Sequence, residues 1–307
     1  MKDTILFGDC RETLKEFDEK ARCCVTSPPY YGLRDYGGED SQIGQEQSPE
    51  EYIEEMVNVF RLVRDCLTDD GTLWLNIGDS YYNYRKDGCI PKQTFSANRQ
   101  DLPVTTPRRS NKLKGYKEKD LIGIPWMLAF ALRADGWYLR QDIKWHKPNP
   151  MPESVRDRCT KSHEYIFLLS KNKNYYYDND AIKEPAKDWG TRDRSNGKYH
   201  NEGSGLTPHS GLTKSYSKRN KRSVWSINKK PYKGAHFATY PEELITPCIK
   251  AGSDKGDIIL DPFMGSGTTA VVAKDLGRYY IGCELHEDYG ELIKKRLGLY
   301  ASLRTVT

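Results

Sequence analysis

A hydrophobic strand that runs directly into a glycine turn constrains the fold of this 307-residue chain more than any other segment. Within residues 257–261, three apolar residues lie between two aspartates, and Gly265 and Gly267 follow within a short turn. Glycine adopts backbone angles that other residues avoid, so such a turn lets the main chain approach a ligand closely. A helix through Lys274 and a strand over residues 279–284 come next. This order predicts a mostly parallel sheet covered by helices.

The rest of the chain repeats this alternation outside two polar segments. Ser48 is a helix cap, Pro49 lies in the first turn and Glu51 completes a capping box. We expect that helix to end at residues 69–71, and a further helix near residues 125–134. The predicted strands cover residues 4–9, 22–25, 72–77, 137–145, 164–169, 257–261 and 279–284. Together these elements predict one α/β fold.

Composition and cysteine usage limit the class of protein. Charged residues make up 30% of the chain and hydrophobic residues 37%. No apolar run approaches the roughly 18 residues that span a membrane, which predicts a soluble protein without a membrane partner. The eight cysteines show no C-x-x-C spacing, and the six histidines are scattered. We therefore expect no metal, no disulfide framework and a cytoplasmic location.

Positive charge is concentrated in two segments. Residues 83–119 carry ten Lys/Arg and three Asp/Glu, and residues 183–233 carry thirteen and four. The whole chain has a net charge of only +5, so the remainder is acidic. Two basic segments on an acidic body favour a polyanion bound at two places. Two solvated surface loops are the alternative on charge alone.

The glycine turn by itself leaves its ligand open. Residues 265–270 also fit the G-x-G-x-x-G/A fingerprint of dinucleotide-binding proteins, and Glu284 lies close to the spacing of its acidic partner. A carboxylate at that strand end can accept two hydrogen bonds from ribose hydroxyls. S-adenosylmethionine, a nicotinamide cofactor and a merely structural helix cap are all compatible with this segment.

A second segment, Thr26-Ser27-Pro28-Pro29-Tyr30, separates these alternatives. Proline lacks an N–H and has a fixed φ, so the two prolines end the preceding strand in a stiff, extended exit. The carbonyls there lack local donors, Ser27 adds a hydroxyl, and Tyr30 offers a flat face for a base. A simple strand-to-loop junction would also use prolines. However, this segment has no role in hydride transfer, which disfavours the nicotinamide dehydrogenase.

The two segments together resemble the DNA amino-methyltransferases, which methylate N4 of cytosine or N6 of adenine. The family motif (S/N/D)-P-P-(Y/F/W) is matched at residues 27–30, and F-x-G-x-G is matched by Phe263, Gly265 and Gly267. The order, with the catalytic motif first and the cofactor loop last, is similar to the permuted beta class. Shorter matches occur at residues 7–9, 77–80, 145–152, 163–166 and 236–241.

The resemblance implies a Rossmann-like αβα sandwich with a mostly parallel seven-stranded sheet, one antiparallel strand and irregular basic insertions. It also implies S-adenosylmethionine as cofactor, with Asp9 at the adenine amine, Glu284 at the ribose and the glycine loop at the methionine. The cofactor contacts expected from it are Asp9, Asp261, Phe263, Gly265, Gly267, Thr268, Glu284, His236 and Phe237. The family often has His-Pro-Thr at residues 236–238, so the contact of this segment stays open.

The resemblance assigns the chemistry to Ser27, Pro28, Pro29 and Tyr30. The Ser27 side chain and the Pro28 carbonyl would accept hydrogen bonds from the target amine, and Tyr30 would stack on a base rotated out of the duplex. No covalent intermediate is needed. The rival C5-cytosine mechanism would use Cys248, which follows Pro247 in a predicted helix and is interpreted as core filling.

Serine at position 27 favours N4 of cytosine, because adenine enzymes of this group more often carry Asp or Asn there. N6 of adenine remains the alternative, and a catalytically inactive DNA-binding protein is a third possibility. Double-stranded DNA is the expected partner of a monomer or homodimer, with a cognate restriction endonuclease as a further candidate.

The basic segments divide the chain into five predicted parts. Residues 1–82 and 120–182 form the catalytic half, and residues 236–307 form the cofactor-binding half. Residues 83–119 are predicted to clamp DNA through Arg108 and Arg109. Residues 183–235 are predicted to recognise the target, using Arg192, Arg194, Arg219 and Arg222.

Overall fold

The computed structural model describes residues 1–32, 42–82, 113–186, 217–229, 240–298 and 302–305. Within these ranges the strands are β1 (Thr4–Phe7), β2 (Ala21–Thr26), β3 (Leu67–Ile77), β4 (Tyr138–His146), β5 (His163–Ser170), β6 (Glu184–Pro185), β7 (Lys218–Arg219), β8 (Val224–Ser226), β9 (Ile258–Asp261), β10 (Tyr279–Glu284) and β11 (Ser302–Thr305). The helices are α1 (Cys10–Thr13), α2 (Pro49–Cys66), α3 (Ile124–Ala134), α4 (Glu242–Gly252), α5 (Thr268–Asp275) and α6 (Tyr289–Leu297).

One large sheet organises the described chain, in the order β11-β1-β10-β9-β2-β3-β5-β4-β8. Every neighbouring pair is parallel except those of β5, which runs antiparallel to β3 and to β4. The predicted fold class with one antiparallel strand is therefore confirmed. The strand count differs, because the short strands β8 and β11 extend the seven expected strands at both edges. Strands of three or four residues leave little periodic signal in a sequence.

Helices cover both faces of this sheet. On one face, α2 and α3 bury residues such as Phe60 and Leu128 against the strands, and on the other α4, α5 and α6 bury residues such as Ile245, Ala273 and Ile293. The buried residues of α2 follow the helical spacing seen in its sequence. Burying both faces explains why the central strands are apolar along their whole length.

The start of α2 confirms the predicted cap. Ser48 Oγ accepts a hydrogen bond from the Glu51 backbone N–H at 3.2 Å, and Pro49 occupies the first turn. The Glu51 carboxylate accepts from the Gln47 backbone N–H at 3.1 Å, one residue before the expected position. The side chains of Ser48 and Glu51 thus satisfy two backbone donors at the helix entry.

The predicted turn at residues 69–71 is wrong, because β3 begins at Leu67 directly after α2. Asp70 is held within the strand by Arg22 of β2, whose guanidinium lies 2.6 Å from its carboxylate. The register between β2 and β3 shifts between Ala21 and Cys23, which accommodates the additional residues. A long-range ion pair thus overrides the local turn preference of Asp-Asp-Gly.

The last part of the predicted basic insertion packs on the catalytic half. Leu113 is buried, and its backbone N–H donates to the Tyr82 hydroxyl at 3.1 Å. The Lys119 N–H donates to the Tyr82 carbonyl at 2.9 Å. Residues 83–112 lie outside the described residues.

Among the described helices, none is both long and apolar enough to cross a membrane.

The sheet brings several polar residues together at the carboxyl ends of its parallel strands. The carboxyl ends of the parallel strands β1, β10, β9 and β2 meet there, and they carry Asp9, Glu284, Asp261 and Thr26 at or just after their ends. Ligands of open α/β sheets bind outside the carboxyl ends of the strands. The functional site is therefore expected at the carboxyl ends of these strands.

The contact of α4 with the sheet yields a test of the packing. A Cβ added to Gly252 would lie 2.7 Å from Cys23 Sγ and 2.8 Å from Thr72 Oγ1. In an ordinary helix Gly→Ala is favourable, but here we expect Gly252→Ala to lower the free energy of unfolding by about 1–3 kcal/mol through overpacking. Urea unfolding measures this change, with Lys250→Ala in the same helix as the control. A stabilised Gly252→Ala protein would show that the helix lies further from the sheet.

Candidate active site

A buried carboxylate joins the segments around the predicted site. Asp261, at the end of β9, has no exposed surface. It accepts hydrogen bonds from Thr26 Oγ1 (2.6 Å), Thr269 Oγ1 (2.5 Å), the Tyr240 hydroxyl (3.0 Å) and the Phe263 backbone N–H (3.0 Å). Burial raises the pKa of Asp261, and these donors oppose that rise. The predicted contact of Asp261 with the cofactor stays a prediction, because both its oxygens face protein donors.

The proline motif directly follows Thr26 and is fixed by its neighbours. The Tyr52 hydroxyl of α2 donates to the Pro29 carbonyl at 2.8 Å. The Tyr30 hydroxyl donates to Glu164 Oε2 at 2.9 Å, and its ring packs so closely on Gly78 that a Cβ there would lie 2.6 Å from the ring. The motif thus contacts α2, β5 and the residue that follows β3.

Two acceptors predicted from the sequence lie in this motif. Within the part of the chain that the structure describes, no residue donates to the Pro28 carbonyl. Ser27 is partly exposed. An acceptor without a described partner and a partly exposed hydroxyl are the groups that an incoming amine requires.

The glycine loop leads from β9 into α5 with two left-handed residues. Gly265 has a φ of +54° and Gly267 a φ of +80°, so both favour glycine. A Cβ on Gly265 would meet nothing closer than the Phe263 carbonyl at 4.0 Å, so space is open beside this loop. Phe263 itself is partly buried against the core.

Glu284 holds the loop from the neighbouring strand. Its Oε2 accepts from the Gly265 backbone N–H at 2.7 Å, and its Oε1 accepts from the His286 backbone N–H at 3.0 Å. Burial raises the pKa of Glu284 to about 7. A carboxylate in this position has further lone pairs that hydroxyl donors of a ligand can use.

Arg296 of α6 supports the loop from its other side. Its guanidinium donates to the Ser266 carbonyl (3.0 Å), to Ser266 Oγ (2.8 Å) and to Thr268 Oγ1 (2.9 Å). It also pairs with Glu242 at the start of α4, at 3.0 Å. Thr268 is buried and faces this guanidinium. The sequence analysis missed Arg296, because one arginine among the cations of a terminal helix carries no distinguishing signal.

Asp9 lies beside Glu284, since the Gly8 N–H donates to the Glu284 carbonyl at 2.9 Å. Asp9 caps α1, and both its carboxylate oxygens accept from Arg11, which also pairs with Glu55 at 2.9 Å. The predicted contact of Asp9 with an adenine amine stays a prediction. Any ligand at Asp9 would share that carboxylate with Arg11.

The remaining predicted residues fall into two groups. Arg219 and Arg222 lie near β8 at the sheet edge, and the Nε of each is 2.9 Å from the same oxygen of Glu184. Their side chains stay 38% and 69% exposed. His236, Phe237, Arg108, Arg109, Arg192 and Arg194 lie outside the described residues.

Two negative predictions concern metals and covalent chemistry. Among the described residues, no group of three His, Cys, Asp or Glu side chains is placed to hold a metal ion. Cys248 is buried within α4, as predicted, and burial raises the pKa of its thiol well above the ordinary value. A thiol in this state is a poor nucleophile, which agrees with its interpretation as core filling.

The class of protein follows from the sequence model of the DNA methylase family, which matches residues 21–295. The chain therefore belongs to the N6/N4 DNA methylase family, and the predicted resemblance is confirmed. It is 48% identical to the Type II methyltransferase M.SmaI of Serratia marcescens over 294 residues, covering 95% of this chain and 90% of that protein. It is 45% identical to the Type II methyltransferase M.Cfr9I of Citrobacter freundii, covering 96% and 87%.

Solved structures of methyltransferases have the same fold. The cytosine-N4-specific PvuII DNA methyltransferase superposes with a TM-score of 0.60 at 17% identity, covering 98% of this chain and 94% of that chain. The complex of M1.HpyAVI with S-adenosylmethionine superposes with a TM-score of 0.56 at 18% identity, covering 96% and 99%. At these identities the likeness concerns the fold.

The cofactor of this family is S-adenosylmethionine, and the residues at the carboxyl ends of the parallel strands fit it. The open backbone at Gly265 leaves room for a ligand, and the nearly buried Glu284 can accept from vicinal hydroxyls. The carboxylates of Asp9 and Glu284 also suit a ligand that carries a positive charge. Family membership thus resolves the open choice at the glycine loop in favour of S-adenosylmethionine over a nicotinamide cofactor.

The raised pKa of Glu284 makes a pH-dependent prediction. Hydroxyl donors favour the ionised carboxylate, so the affinity for S-adenosylmethionine should rise with pH, by up to about tenfold per pH unit below 7, and level off above it. Glu284→Gln should remove this dependence and weaken binding by roughly 1.5–3 kcal/mol. Calorimetry between pH 5.5 and 8.5, in two buffers of different ionisation heat, measures affinity and proton release.

In the absence of ligand, the pH dependence of the free energy of unfolding has the opposite sign. The folded protein holds the Glu284 proton more tightly than the unfolded chain does, so its contribution to the free energy of unfolding falls as pH rises from 4.5 to about 7. Glu284→Gln should flatten that fall in urea unfolding. Identical pH profiles of binding for the two proteins would remove Glu284 from the cofactor site.

Proposed function

We propose that this protein is a site-specific Type II DNA methyltransferase that methylates N4 of cytosine in duplex DNA. The observation that carries the choice of base is serine at position 27, next to the Pro28 carbonyl that has no described donor. The similarity to the Type II methyltransferases M.SmaI and M.Cfr9I supports site-specific methylation. N6 of adenine is the second candidate, since the same family contains both activities.

The target amine needs activation, because its lone pair is delocalised into the ring. The Ser27 hydroxyl and the Pro28 carbonyl accept hydrogen bonds from its two hydrogens and favour a tetrahedral nitrogen with a localised lone pair. These acceptors also stabilise the positive charge that develops on nitrogen during transfer. S-adenosylmethionine, when bound, would supply the methyl group from its sulfonium and leave as the neutral thioether, and the proton displaced from the amine would pass to solvent. Alignment of the amine is then the main contribution of the protein.

The base reaches the motif only after it leaves the duplex, because a paired amine is inaccessible. The Tyr30 ring, packed on Gly78, provides the stacking surface for the extruded base. A base held between a fixed ring and two fixed acceptors has little rotational freedom. The proline motif thus combines the residues for base capture and for amine activation in one short segment.

The basic segments supply the contacts with DNA in this proposal. Residues 83–119 contact phosphates through Arg108 and Arg109, and residues 183–235 recognise the target sequence through Arg192, Arg194, Arg219 and Arg222. The excess of Lys and Arg in both segments supports this division. We further propose that residues 1–82 and 120–182 act as the catalytic half and residues 236–307 as the cofactor half. A cytoplasmic monomer or homodimer with a cognate endonuclease completes the proposal.

Mass analysis of nucleosides tests the reaction directly. DNA treated with the protein and S-adenosylmethionine should contain N4-methylcytosine and no N6-methyladenine. Ser27→Ala and Tyr30→Ala should lower methyl transfer by more than about tenfold and change the cofactor affinity by less than about threefold, because both residues belong to the proline motif after β2 and neither belongs to the glycine loop. N6-methyladenine would establish the second candidate, and a parallel loss of cofactor affinity would contradict the division of roles.

The assignment of the arginines is tested with a randomised-site DNA library. Arg219→Ala and Arg222→Ala should change the preference for target over other DNA, by about 1–3 kcal/mol for a bidentate base contact. Replacing Arg108 and Arg109 should weaken all sequences equally and flatten the salt dependence. Arg61→Ala is the matched control, because this exposed arginine is likewise paired with one carboxylate, that of Asp135. If the sequence preference shifts only when Arg108 and Arg109 are replaced, then their segment recognises the target and the segment with Arg219 and Arg222 contacts phosphates.

A further inference from the structure

A chain of buried polar contacts lies behind the Tyr30 ring. The Tyr30 hydroxyl donates to Glu164 Oε2 at 2.9 Å, and Glu164 Oε1 forms an ion pair with the ammonium of Lys147. Lys147 directly follows β4, and Glu164 lies on the neighbouring strand β5. The side chains of Lys147 and Glu164 are only 6% and 18% exposed. An ion pair therefore lies in the interior, one contact away from the proline motif.

Stability does not account for such a pair. Removing two charges from water is costly, and apolar residues of similar volume are often at least as stabilising as a buried ion pair. Burial lowers the pKa of Lys147, and the neighbouring Glu164 carboxylate opposes that change. The ammonium also lies 4.3 Å from the centre of the Trp145 ring, which adds a cation–π contact. Because this buried ion pair is costly and contacts Tyr30 of the proline motif, we expect it to have a role at that motif.

Further contacts restrict the same tyrosine. Asn76 Oδ1 lies 3.4 Å from the Tyr30 hydroxyl, and Asn76 Nδ2 donates to the Tyr165 carbonyl at 3.0 Å, which turns the amide oxygen toward Tyr30. Gly78 leaves no room for a side chain beside the ring. The hydroxyl is thus bound at one end and the ring is enclosed along one face. A side chain held in this way loses little further entropy when a base stacks on it.

We propose that Glu164 and Lys147 are positioning residues that hold Tyr30 in the orientation required for capture of the target base. This inference rests on the proposed function, in which Tyr30 stacks on the extruded base. Glu164 fixes the tyrosine hydroxyl, and the ion pair with Lys147 holds the Glu164 carboxylate in place. Neither residue touches the reacting amine in this account. The ring performs the stacking, and the hydroxyl bound to Glu164 sets its orientation.

A double-mutant cycle tests the link between Tyr30 and Glu164. Tyr30→Phe and Glu164→Ala should each lower the rate of methyl transfer at saturating cofactor and DNA by roughly tenfold, the value of one charged hydrogen bond. The double variant should be no slower than the slower single variant. S-adenosylmethionine affinity should stay within about twofold of the wild type. Tyr280→Phe is the matched control, because the Tyr280 hydroxyl is buried without a hydrogen-bond partner among the described residues.

A second pair of variants tests the role of charge. Glu164→Gln retains an acceptor for Tyr30 but leaves the buried ammonium of Lys147 without its counter-charge, so it should lower the rate by about tenfold. Lys147→Met combined with Glu164→Gln removes both charges and should restore the rate to within about threefold of the wild type. Fluorescence of 2-aminopurine at the target position should follow the same order, since it reports base extrusion.

The outcomes separate this inference from the proposed function. A wild-type protein that adds no methyl group to DNA overturns the proposed function. A wild-type protein that methylates DNA, with Tyr30→Phe and Glu164→Ala variants equally fast, overturns only the positioning role. Additive losses in the double variant, or losses matched by weaker cofactor binding, overturn it as well. Urea unfolding midpoints confirm that each variant is folded under the conditions of the assay.

Discussion

The hydrogen bonds of Asp261 are the interaction on which the rest of the site depends. One carboxylate at the end of β9 binds Thr26, which precedes the proline motif, and Thr269, which lies in the first turn of α5 after the glycine loop. It also binds the Tyr240 hydroxyl ahead of α4. A buried carboxylate without these donors would be strongly destabilising, so the donors must converge when the chain folds. The segment that precedes the proline motif, the first turn of α5 and the residue ahead of α4 therefore meet in one fixed arrangement.

Acidic groups dominate the cofactor side of this arrangement. Glu284 and Asp261 are both buried, and the charge of Asp261 helps to raise the pKa of Glu284. Their repulsion is moderated by backbone donors from the glycine loop and by the hydroxyls around Asp261. Glu284 can accept from hydroxyl donors of a ligand, and S-adenosylmethionine, the cofactor of this family, carries such donors. Arg296 lies behind the loop and donates to its carbonyl and hydroxyls, so its charge stabilises the protein frame.

Local patterns in the sequence predicted the elements whose cause is local. The cap at Ser48, the strand over Tyr279–Glu284 and the left-handed glycines at 265 and 267 follow from neighbours in the chain. The turn at residues 69–71 was wrong because its aspartate pairs with Arg22, far away in sequence. The edge strands β8 and β11 were missed because their few residues pair with strands that the local sequence does not reveal.

The same distinction holds within the site. The motif from Ser27 to Tyr30 and the acid Glu284 could be predicted as site residues from the sequence, because the motif follows a predicted strand and Glu284 ends one. Arg296 could not, because Thr268, Ser266 and Glu242, to which it donates, lie 28 or more residues away in sequence. Lys147 and Tyr240 were noticed only within short family matches. Glu164 was noticed only within a short family match. Its link to Tyr30 spans 134 positions and appears only when β5 lies beside β3.

The variant Asp261→Asn tests most directly whether one carboxylate joins the two halves of the site. The amide keeps the size of the side chain but presents an N–H group to donors that need an acceptor. We predict that S-adenosylmethionine affinity and the rate of methyl transfer both fall by at least about tenfold while circular dichroism shows an intact fold. Calorimetry and a methyl-transfer assay on the same preparation give both values. Wild-type affinity together with a wild-type rate would contradict the account.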